Sequence, residues 1–366
     1  VNTSVLRDEL RGQGIRFRST TDSEVIATLI AYYTQQHNKL REGIRETMQL
    51  IEGAYAVVLI TESALYAFRD PHGVRPLVLG RLEGGGWVVA SETCALDIVG
   101  AEYVRDIEPG ESVKISAEGL ETFQAVPAQK KSLCMFEFVY FARPDSELYG
   151  CSLYEARRNM GIALAEESPV EADLVIGVPD SGVPAAVGFA QGSGIPFGEG
   201  LAKNRYVGRT FISPSQTLRQ QGIRLKLNPF KHAIKGKRLV VVDDSIVRGN
   251  TTKKLVKLLR DAGAAEVHMR ITAPPIRFPC HYGIDMATQR ELVAAHHTVD
   301  DVRRQIGATT LGYLSIEGLL KAAGQPRHRF CLACFNGEYP IPVPEDVELV
   351  KEIFETPLTG STVSAT

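Results

Sequence analysis

The sequence lacks any apolar run long enough to cross a membrane, and no secretory signal is recognisable at its start. It is also nearly balanced in charge, because 41 Lys and Arg stand against 43 Asp and Glu and leave a formal net charge of -2. A chain without excess positive charge binds nucleic acid poorly. The phosphate-loop pattern G-x-x-x-x-G-K-[ST] and internal repeats are absent as well. These absences predict a cytoplasmic protein that binds neither membranes nor nucleic acid.

The length of 366 residues, with 44% hydrophobic and 23% charged residues, predicts two globular domains. Residues 1–126 begin with a helix near 5–10 and then alternate turns with short strands, expected at 54–61, 64–69, 77–81 and 87–91. Residues 127–326 contain strand–turn–helix units, which predict a parallel sheet. Residues 327–366 form a tail with a pair of cysteines.

The most informative run is residues 238–252, RLVVVDDSIVRGNTT. An apolar strand ends in Asp243 and Asp244, a turn of small and polar residues follows, and residues 253–260 have the leucine spacing of a helix. Such a turn surrounds one anion with backbone N–H groups and a helix N-terminus. The two carboxylates suit sugar hydroxyls or a hydrated Mg²⁺. The run therefore predicts a phosphate site beside an acidic pair, although response regulators and nucleotide-binding proteins also have acidic strand ends.

A second unit of the same kind spans residues 173–182, DLVIGVPDSG, with a helix expected from about Pro184. Two such units place their turns at the carboxyl edge of one parallel sheet. Further along, residues 192–198 fall short of the dinucleotide-binding pattern and indicate a turn before a strand at 195–197. The sequence thus predicts two polar turns at the same edge of the sheet.

The first run resembles the phosphoribosyl-pyrophosphate (PRPP) signature of the type I phosphoribosyltransferases. Four segments, in order, resemble the glutamine PRPP amidotransferases: residues 137–146 (EFVYFARPDS), 203–211 (KNRYVGRTF), 240–251 and 331–335 (CLACF). The resemblance implies an α+β and α/β fold, with a partial N-terminal-nucleophile (Ntn, αββα) glutaminase domain before a type I phosphoribosyltransferase domain with a central parallel sheet. It also implies that ammonia derived from glutamine displaces pyrophosphate from PRPP and gives 5-phosphoribosylamine, the first step of purine synthesis.

The same resemblance assigns roles to individual residues. Mg²⁺ is expected at Ser181, Asp243 and Asp244, and pyrophosphate at Asp180, Ser181 and Gly182. The 5′-phosphate is expected at Ser245, Ile246, Val247, Arg248, Gly249, Asn250 and Thr251. The basic stretch 203–237 looks like a loop that closes over PRPP, and its catalytic candidates, besides Asp243 and Asp244, are Lys203, Arg205, Tyr206 and Lys226.

The start of the chain departs from the family plan, in which an N-terminal cysteine is the glutaminase nucleophile. Here Val1 stands first and the first cysteine is Cys94, which the alternating sequence around it places at a packed strand end. The expectation is a transferase that depends on free ammonia. Asp22 resembles the residue that pairs with the α-amino group of glutamine, but Thr21 or Asp22 followed by Glu24 also fits the N-cap of a helix.

Six cysteines in a cytoplasmic protein indicate metal binding or reactivity before disulfides. Four of them match the [4Fe–4S] ligands of the iron–sulfur branch of the family: Cys134, Cys280, Cys331 and Cys334. Zinc is the alternative, with His328 as a spare ligand. Cys94 and Cys151 are expected to be ordinary buried thiols.

Two other functions remain open from the sequence. One is a non-catalytic PRPP-binding regulator, since phosphoribosyltransferase folds also serve in regulation. The other is an inactive iron–sulfur scaffold. The expected partners are PRPP, ammonia or glutamine, purine nucleotides as feedback ligands, and further copies of the chain in a homo-oligomer.

Overall fold

A computed structural model describes residues 1–204, 227–286 and 288–343 of the chain. The helices in these ranges are α1 Thr3–Gly12, α2 Asp22–His37, α3 Leu40–Leu50, α4 Thr93–Val99, α5 Leu153–Glu167, α6 Val183–Ser193, α7 Lys231–Ile234, α8 Asn250–Asp261, α9 Val293–His296, α10 Val299–Ile306, α11 Ile316–Ala323 and α12 Ala333–Asn336. The strands are β1 Ala56–Ile60, β2 Ala64–Arg69, β3 Val78–Leu82, β4 Trp87–Ala90, β5 Ala101–Asp106, β6 Glu111–Ser116, β7 Gly119–Gln124, β8 Leu133–Cys134, β9 Glu147–Leu148, β10 Cys151–Ser152, β11 Leu174–Gly177, β12 Leu201–Lys203, β13 Leu227–Pro229, β14 Arg238–Asp243, β15 Glu266–Ile271, β16 Thr310–Tyr313 and β17 Phe330–Cys331. A π-helical turn, Glu137–Phe141, connects the two halves.

The first half is a layered structure of helices and two antiparallel sheets. One sheet has the order β1-β2-β6-β7 and the other the order β4-β3-β5. Successive side chains of β2 point to opposite faces. Phe68 packs towards α2 and α3 with Ile44, whereas Ala67 packs between the sheets with Leu79. Helix α4 covers the outer face of the second sheet through Leu96. The layers therefore run helix, sheet, sheet, helix.

The second half is built on a parallel sheet with the order β11-β14-β15-β16. Strands β11 and β14 are nearly continuous apolar runs, as expected for strands that are covered on both faces. In β14, residues 239–242 are fully buried. Helix α8 packs on the sheet through one apolar stripe, which includes Leu255, Val256 and Leu259. The apolar runs and helical spacing seen in the sequence thus produce the predicted strand–turn–helix units.

Helices α5 and α6 cross at very close range because glycines line the contact. A Cβ atom on Gly188 would lie 1.8 Å from the carbonyl oxygen of Arg158, and one on Gly161 would lie 1.9 Å from that of Ala185. Neither backbone oxygen can rotate away as a side chain would. The two glycines therefore set the distance between α5 and α6, the helix that follows residues 178–182.

We expect Gly188→Ala to lower the free energy of unfolding by about 1–3 kcal/mol, because the added methyl group overpacks a backbone contact. Urea unfolding measures this change. Gly12→Ala is the control, since nothing lies within 4 Å of a Cβ at Gly12, near the end of α1. Equal stability of the two variants would contradict the close helix crossing.

Two local predictions were wrong. Cys94 lies in α4 and not at a strand end, because residues 93–99 form a short helix that Gly100 ends at a φ of 69°. The predicted strand at 195–197 is a single parallel bridge between Phe197 and Val175. Pro196 has no N–H group with which to extend the bridge into a ladder.

The N-cap of α2 follows one of the two alternatives. The hydroxyl of Thr21 accepts the N–H of Glu24 at 3.4 Å, and the carboxylate of Glu24 accepts the N–H groups of Arg18 and Ser19, each at 2.7 Å. Asp22 is the first residue of the helix and accepts the N–H of Ser23. Its predicted contact with a glutamine amino group stays a prediction. No helix within the described ranges has the length and apolar character needed to span a membrane.

Candidate active site

Two turns leave the same edge of the parallel sheet. Strands β11 and β14 are neighbours in register, with Gly177 opposite Val242. The turn after β11, residues 178–182, leads into α6, and the turn after β14, residues 244–249, leads into α8. Both turns therefore lie at the carboxyl edge of the sheet, where open α/β folds bind ligands.

Direct contacts join the two turns. The hydroxyl of Ser181 donates to one carboxylate oxygen of Asp244 at 2.5 Å, and the hydroxyl of Ser245 donates to the other at 2.5 Å. The N–H of Val178 donates to the carbonyl of Val242 at 2.9 Å. A Cβ on Gly182 would lie only 2.5 Å from that same carbonyl oxygen, which explains a glycine here. The two turns thus form one continuous polar surface.

In the acidic pair Asp244 is buried and Asp243 is half-buried, and little positive charge lies near them. Burial and the neighbouring charge of Asp244 raise the pKa of Asp243 well above its ordinary value. Burial also raises the pKa of Asp244, while the two serine hydroxyls and the more distant charge of Arg157 oppose that shift. A divalent cation or sugar hydroxyls would satisfy these oxygens.

Magnesium fits this pair only with help from the ligand. Among the described residues, no three His, Cys, Asp or Glu side chains are grouped as ligands of a metal ion. Mg²⁺ typically keeps several waters and binds through one or two carboxylates together with substrate phosphates. Asp243 and Asp244 supply such carboxylates, and Ser181 lies beside them with its hydroxyl bonded to Asp244.

The turn after β14 is shaped for an anion. Gly249 has a φ of 76° and precedes α8, a helix of 12 residues whose first N–H groups receive no side-chain cap. Ile246 is buried and anchors the turn, while the carbonyl of Val247 accepts the N–H of Val293. The start of α8 therefore offers free N–H donors to a phosphate.

The side chain of Arg248 does not face the anion site at the start of α8. Its guanidinium forms an ion pair with Glu291, with a distance of 3.0 Å from Nε to the carboxylate. Only the backbone of Arg248 is thus free for the expected phosphate contact. Asn250 and Thr251 are exposed in the first turn of α8, next to the cradle.

One cation of the predicted closing loop lies beside the turn after β11, residues 178–182. Lys203 ends β12 and its ammonium group forms an ion pair with Asp180. The side chains of this pair are 48% and 73% exposed, so the pair adds little to folding stability. Arg205, Tyr206 and Lys226 lie outside the described residues.

Arg157 is a site residue that the sequence reasoning missed. It is buried in α5 and donates to the carbonyls of Phe138 at 2.8 Å and Ala142 at 2.6 Å. It thereby holds the π-helical turn, and it is the cation whose charge acts on Asp244. No motif could indicate it, because its partners are backbone carbonyls, which every residue has.

The four predicted cluster cysteines belong to one core region. Cys134 and Cys331 are opposite each other in the parallel pair β8–β17 and both are buried. Cys280 and Cys334 pack against the same core, as Cys151 does, and among the described residues no three of these thiols are grouped as ligands of one metal ion. Burial, and next the nearby thiols, raise the pKa of Cys134 and of Cys334.

The other two cysteines differ from these four. Cys94 is buried in α4, and the thiol of Cys151 is half-buried and lies 3.3 Å from the carbonyl of Ala323. His328, the spare zinc ligand, is exposed. All six cysteines are free of disulfides.

Comparison with known proteins agrees with this geometry. Residues 1–97 match the glutamine amidotransferase domain and residues 153–274 the phosphoribosyl transferase domain. The chain is 52% identical over 359 residues to the amidophosphoribosyltransferase of Synechococcus elongatus. The alignment covers 97% of this chain and 73% of the relative. It is 53% identical over 348 residues to the amidophosphoribosyltransferase of Mycobacterium bovis. That alignment covers 94% of this chain and 66% of the relative.

Solved structures give the same result. The chain superposes with a TM-score of 0.87 on the glutamine PRPP amidotransferase from B. subtilis complexed with ADP and GMP, at 48% identity and with 94% of this chain and 76% of that one covered. A second structure, described as the allosteric regulatory enzyme of purine biosynthesis, has the same TM-score and identity. This match covers 94% of this chain and 75% of the other. These matches confirm the predicted order of an Ntn-type glutaminase domain and a phosphoribosyltransferase domain. The chain belongs to the amidophosphoribosyltransferase family.

Proposed function

We propose that the second half of the chain binds Mg²⁺·PRPP across the two turns and transfers its phosphoribosyl group to ammonia. The C1–N bond forms as the bond from C1 to the pyrophosphate oxygen breaks, ammonia gives up a proton to solvent, and the products are 5-phosphoribosylamine and pyrophosphate. The observation that carries the proposal is the hydrogen bond from Ser181 to Asp244, because it joins the two turns into one surface.

The turn of residues 245–251 would bind the 5′-phosphate. The uncapped start of α8 supports this role, since its N–H groups and the helix dipole favour an anion. The hydroxyls of Ser245 and Thr251 would add two donors. In this arrangement the ribose extends from the phosphate towards the acidic pair.

Asp243 and Asp244 would hold the ribose hydroxyls and the hydrated Mg²⁺, while Asp180, Ser181 and Gly182 would hold pyrophosphate. A bound Mg²⁺ supplies charge stabilisation to the departing pyrophosphate. The residues themselves act by positioning C1 and by excluding water.

Lys203 would contact pyrophosphate once the substrate displaces it from Asp180. We expect Lys203→Gln to lower kcat/KM for PRPP about tenfold or more, since a charge-assisted hydrogen bond is worth about 1.5–3 kcal/mol. Because the Lys203–Asp180 pair is exposed, the melting temperature should stay unchanged. Lys321→Gln, an exposed lysine in α11 outside the predicted closing loop, is the control; an equal loss in both variants would argue against this role.

Pyrophosphate release tests the proposal directly. Purified protein is incubated with PRPP and Mg²⁺, with and without ammonium chloride above neutral pH, so that free ammonia replaces any glutamine-derived ammonia. Release that requires both PRPP and ammonia supports the enzyme. Tight PRPP binding without any release would instead favour the non-catalytic regulator, and neither binding nor release would favour an inactive scaffold.

We also propose that Cys134, Cys280, Cys331 and Cys334 hold a [4Fe–4S] cluster. The parallel pair β8–β17 sets Cys134 and Cys331 side by side and supports the proposal. The pKa of Cys334 is raised by burial and next by the charges of Cys134, Cys280 and Cys331, which also supports it. The cluster would tie the tail to the rest of the chain. Zinc remains the alternative metal.

The remaining partners follow from family membership. The domain matched at residues 1–97 supports glutamine as the source of ammonia. The ADP and GMP bound by the B. subtilis enzyme support purine nucleotides as feedback ligands. We also propose that the protein is a cytoplasmic homo-oligomer. Its glutaminase domain would end at residue 126 and its transferase domain at residue 326. The last strand of the first sheet ends at Gln124, which supports the first of these boundaries.

A further inference from the structure

A concave surface lies where the end of the first half of the chain meets its tail, and this contact region is called the seam. The parallel pair β8–β17 sets Leu133 beside Phe330, so the residues before these strands also run side by side. The two segments are 129–131, Gln-Lys-Lys, and 327–329, Arg-His-Arg. The fold thus brings together two basic runs that are almost 200 positions apart in the sequence.

A cavity of about 420 Å³ opens at this seam and shares no lining residue with the two turns of the candidate active site. Its lining includes four basic side chains, His72, Lys130, Arg327 and His328, and one carboxylate, that of Glu338. The ring of Tyr339 also lines it, with its hydroxyl donating to the carbonyl of Pro279.

The basic groups of this cavity are largely free to meet a ligand. Within the described part of the chain, neither Lys130 nor His328 forms an ion pair. The Nδ1 atom of His72 lies 3.1 Å from the carbonyl oxygen of Lys130, which leaves its Nε2 atom without that contact. Glu338 lies 3.7 Å from Arg327 and already accepts a hydrogen bond from Asn336. One carboxylate thus faces four basic side chains.

We propose that this cavity binds a small phosphate-bearing anion. Concavity favours a small molecule over an extended polymer, and a volume of this size is in the range of small-ligand sites. Lys130 comes from the linker after the first sheet and Arg327 from the tail, so a bound phosphate would bridge the two segments. Such a ligand would brace the tail, with its two cysteines, against the first half of the chain and stabilise the protein.

Calorimetric titration with pyrophosphate tests the proposal. Pyrophosphate also suits the proposed PRPP site, so two binding events per chain are expected. The double variant Lys130→Gln/Arg327→Gln should lose one event, or weaken it about tenfold or more, because each charge-assisted contact is worth about 1.5–3 kcal/mol. The KM for PRPP should not change. Lys39→Gln, an exposed lysine in the first half, should keep both events.

The two sites can be separated in the same experiment. Ser181→Ala should weaken pyrophosphate binding at the two turns and leave binding in the cavity of Lys130 and Arg327 unchanged. Identical titrations for the wild type and the double variant would overturn the proposal, as would a parallel loss of PRPP affinity in the double variant. In crystals soaked with pyrophosphate, density is expected between Lys130 and Arg327; density at the two turns alone would also overturn it.

Discussion

Asp243→Asn is expected to lower the ammonia-dependent kcat/KM for PRPP by about 100-fold or more, which is the typical effect of removing one charge-stabilising group from an active site. The carboxylate ends β14 at the point where both turns meet. Asparagine has nearly the same size and keeps the oxygen that accepts the N–H of Asp244. It removes only the charge that would hold a hydrated cation and the ribose hydroxyls.

The same variant should not lose stability. The carboxylate of Asp243 lies beside that of Asp244, and desolvation, followed by this neighbouring charge, raises its pKa. Neutralising one of two neighbouring like charges leaves the free energy of unfolding unchanged or raises it. Asp261→Asn, at the exposed end of α8, is the control for both measurements. Full turnover by Asp243→Asn would contradict the assigned role, and a large loss of stability would show that any loss of turnover has another cause.

Replacement of a cluster cysteine is expected to remove bound iron. The wild type, purified without oxygen, should carry about four irons per chain and the broad visible absorbance of a [4Fe–4S] cluster. Cys331→Ser should lose both, because serine does not replace a thiolate in the pair with Cys134. The tail should then become easier to cleave with protease, since the cluster no longer holds it.

The matched control is Cys151→Ser, because the thiol of Cys151 contacts the carbonyl of Ala323 and is not one of the four predicted ligands. It should retain iron at the wild-type level. Equal iron in Cys331→Ser would contradict the ligand assignment. Stoichiometric zinc without iron in the wild type would identify the alternative metal.

The local units of the site could be predicted from the sequence alone. The apolar runs before Asp180 and Asp243, each followed by a polar turn and a helix, have few alternative structures. Their position at one edge of the sheet follows from the rule that parallel strands bind ligands at their carboxyl ends. The sequence therefore identified both turns and the acidic pair.

Long-range neighbours could not be predicted in the same way. The sequence does not reveal that β11 lies next to β14, because 60 residues separate the two strands. The contact of Ser181 with Asp244 therefore appears only in the structure. Arg157 was missed because it binds backbone carbonyls. Cys94 was misplaced because a seven-residue helix is too short to establish a clear period.

The central claim is that two turns from different strands hold one PRPP molecule, and a double-mutant cycle on PRPP affinity tests it most directly. Calorimetry with Mg²⁺·PRPP is carried out on the wild type, Ser181→Ala, Asp244→Asn and the double variant. A shared site predicts one PRPP per chain and weaker binding in each single variant. The losses should deviate from additivity by about 0.5–3 kcal/mol, as for residues in contact within one network. Strictly additive losses, or PRPP affinity that is unchanged by either substitution, would contradict a shared site.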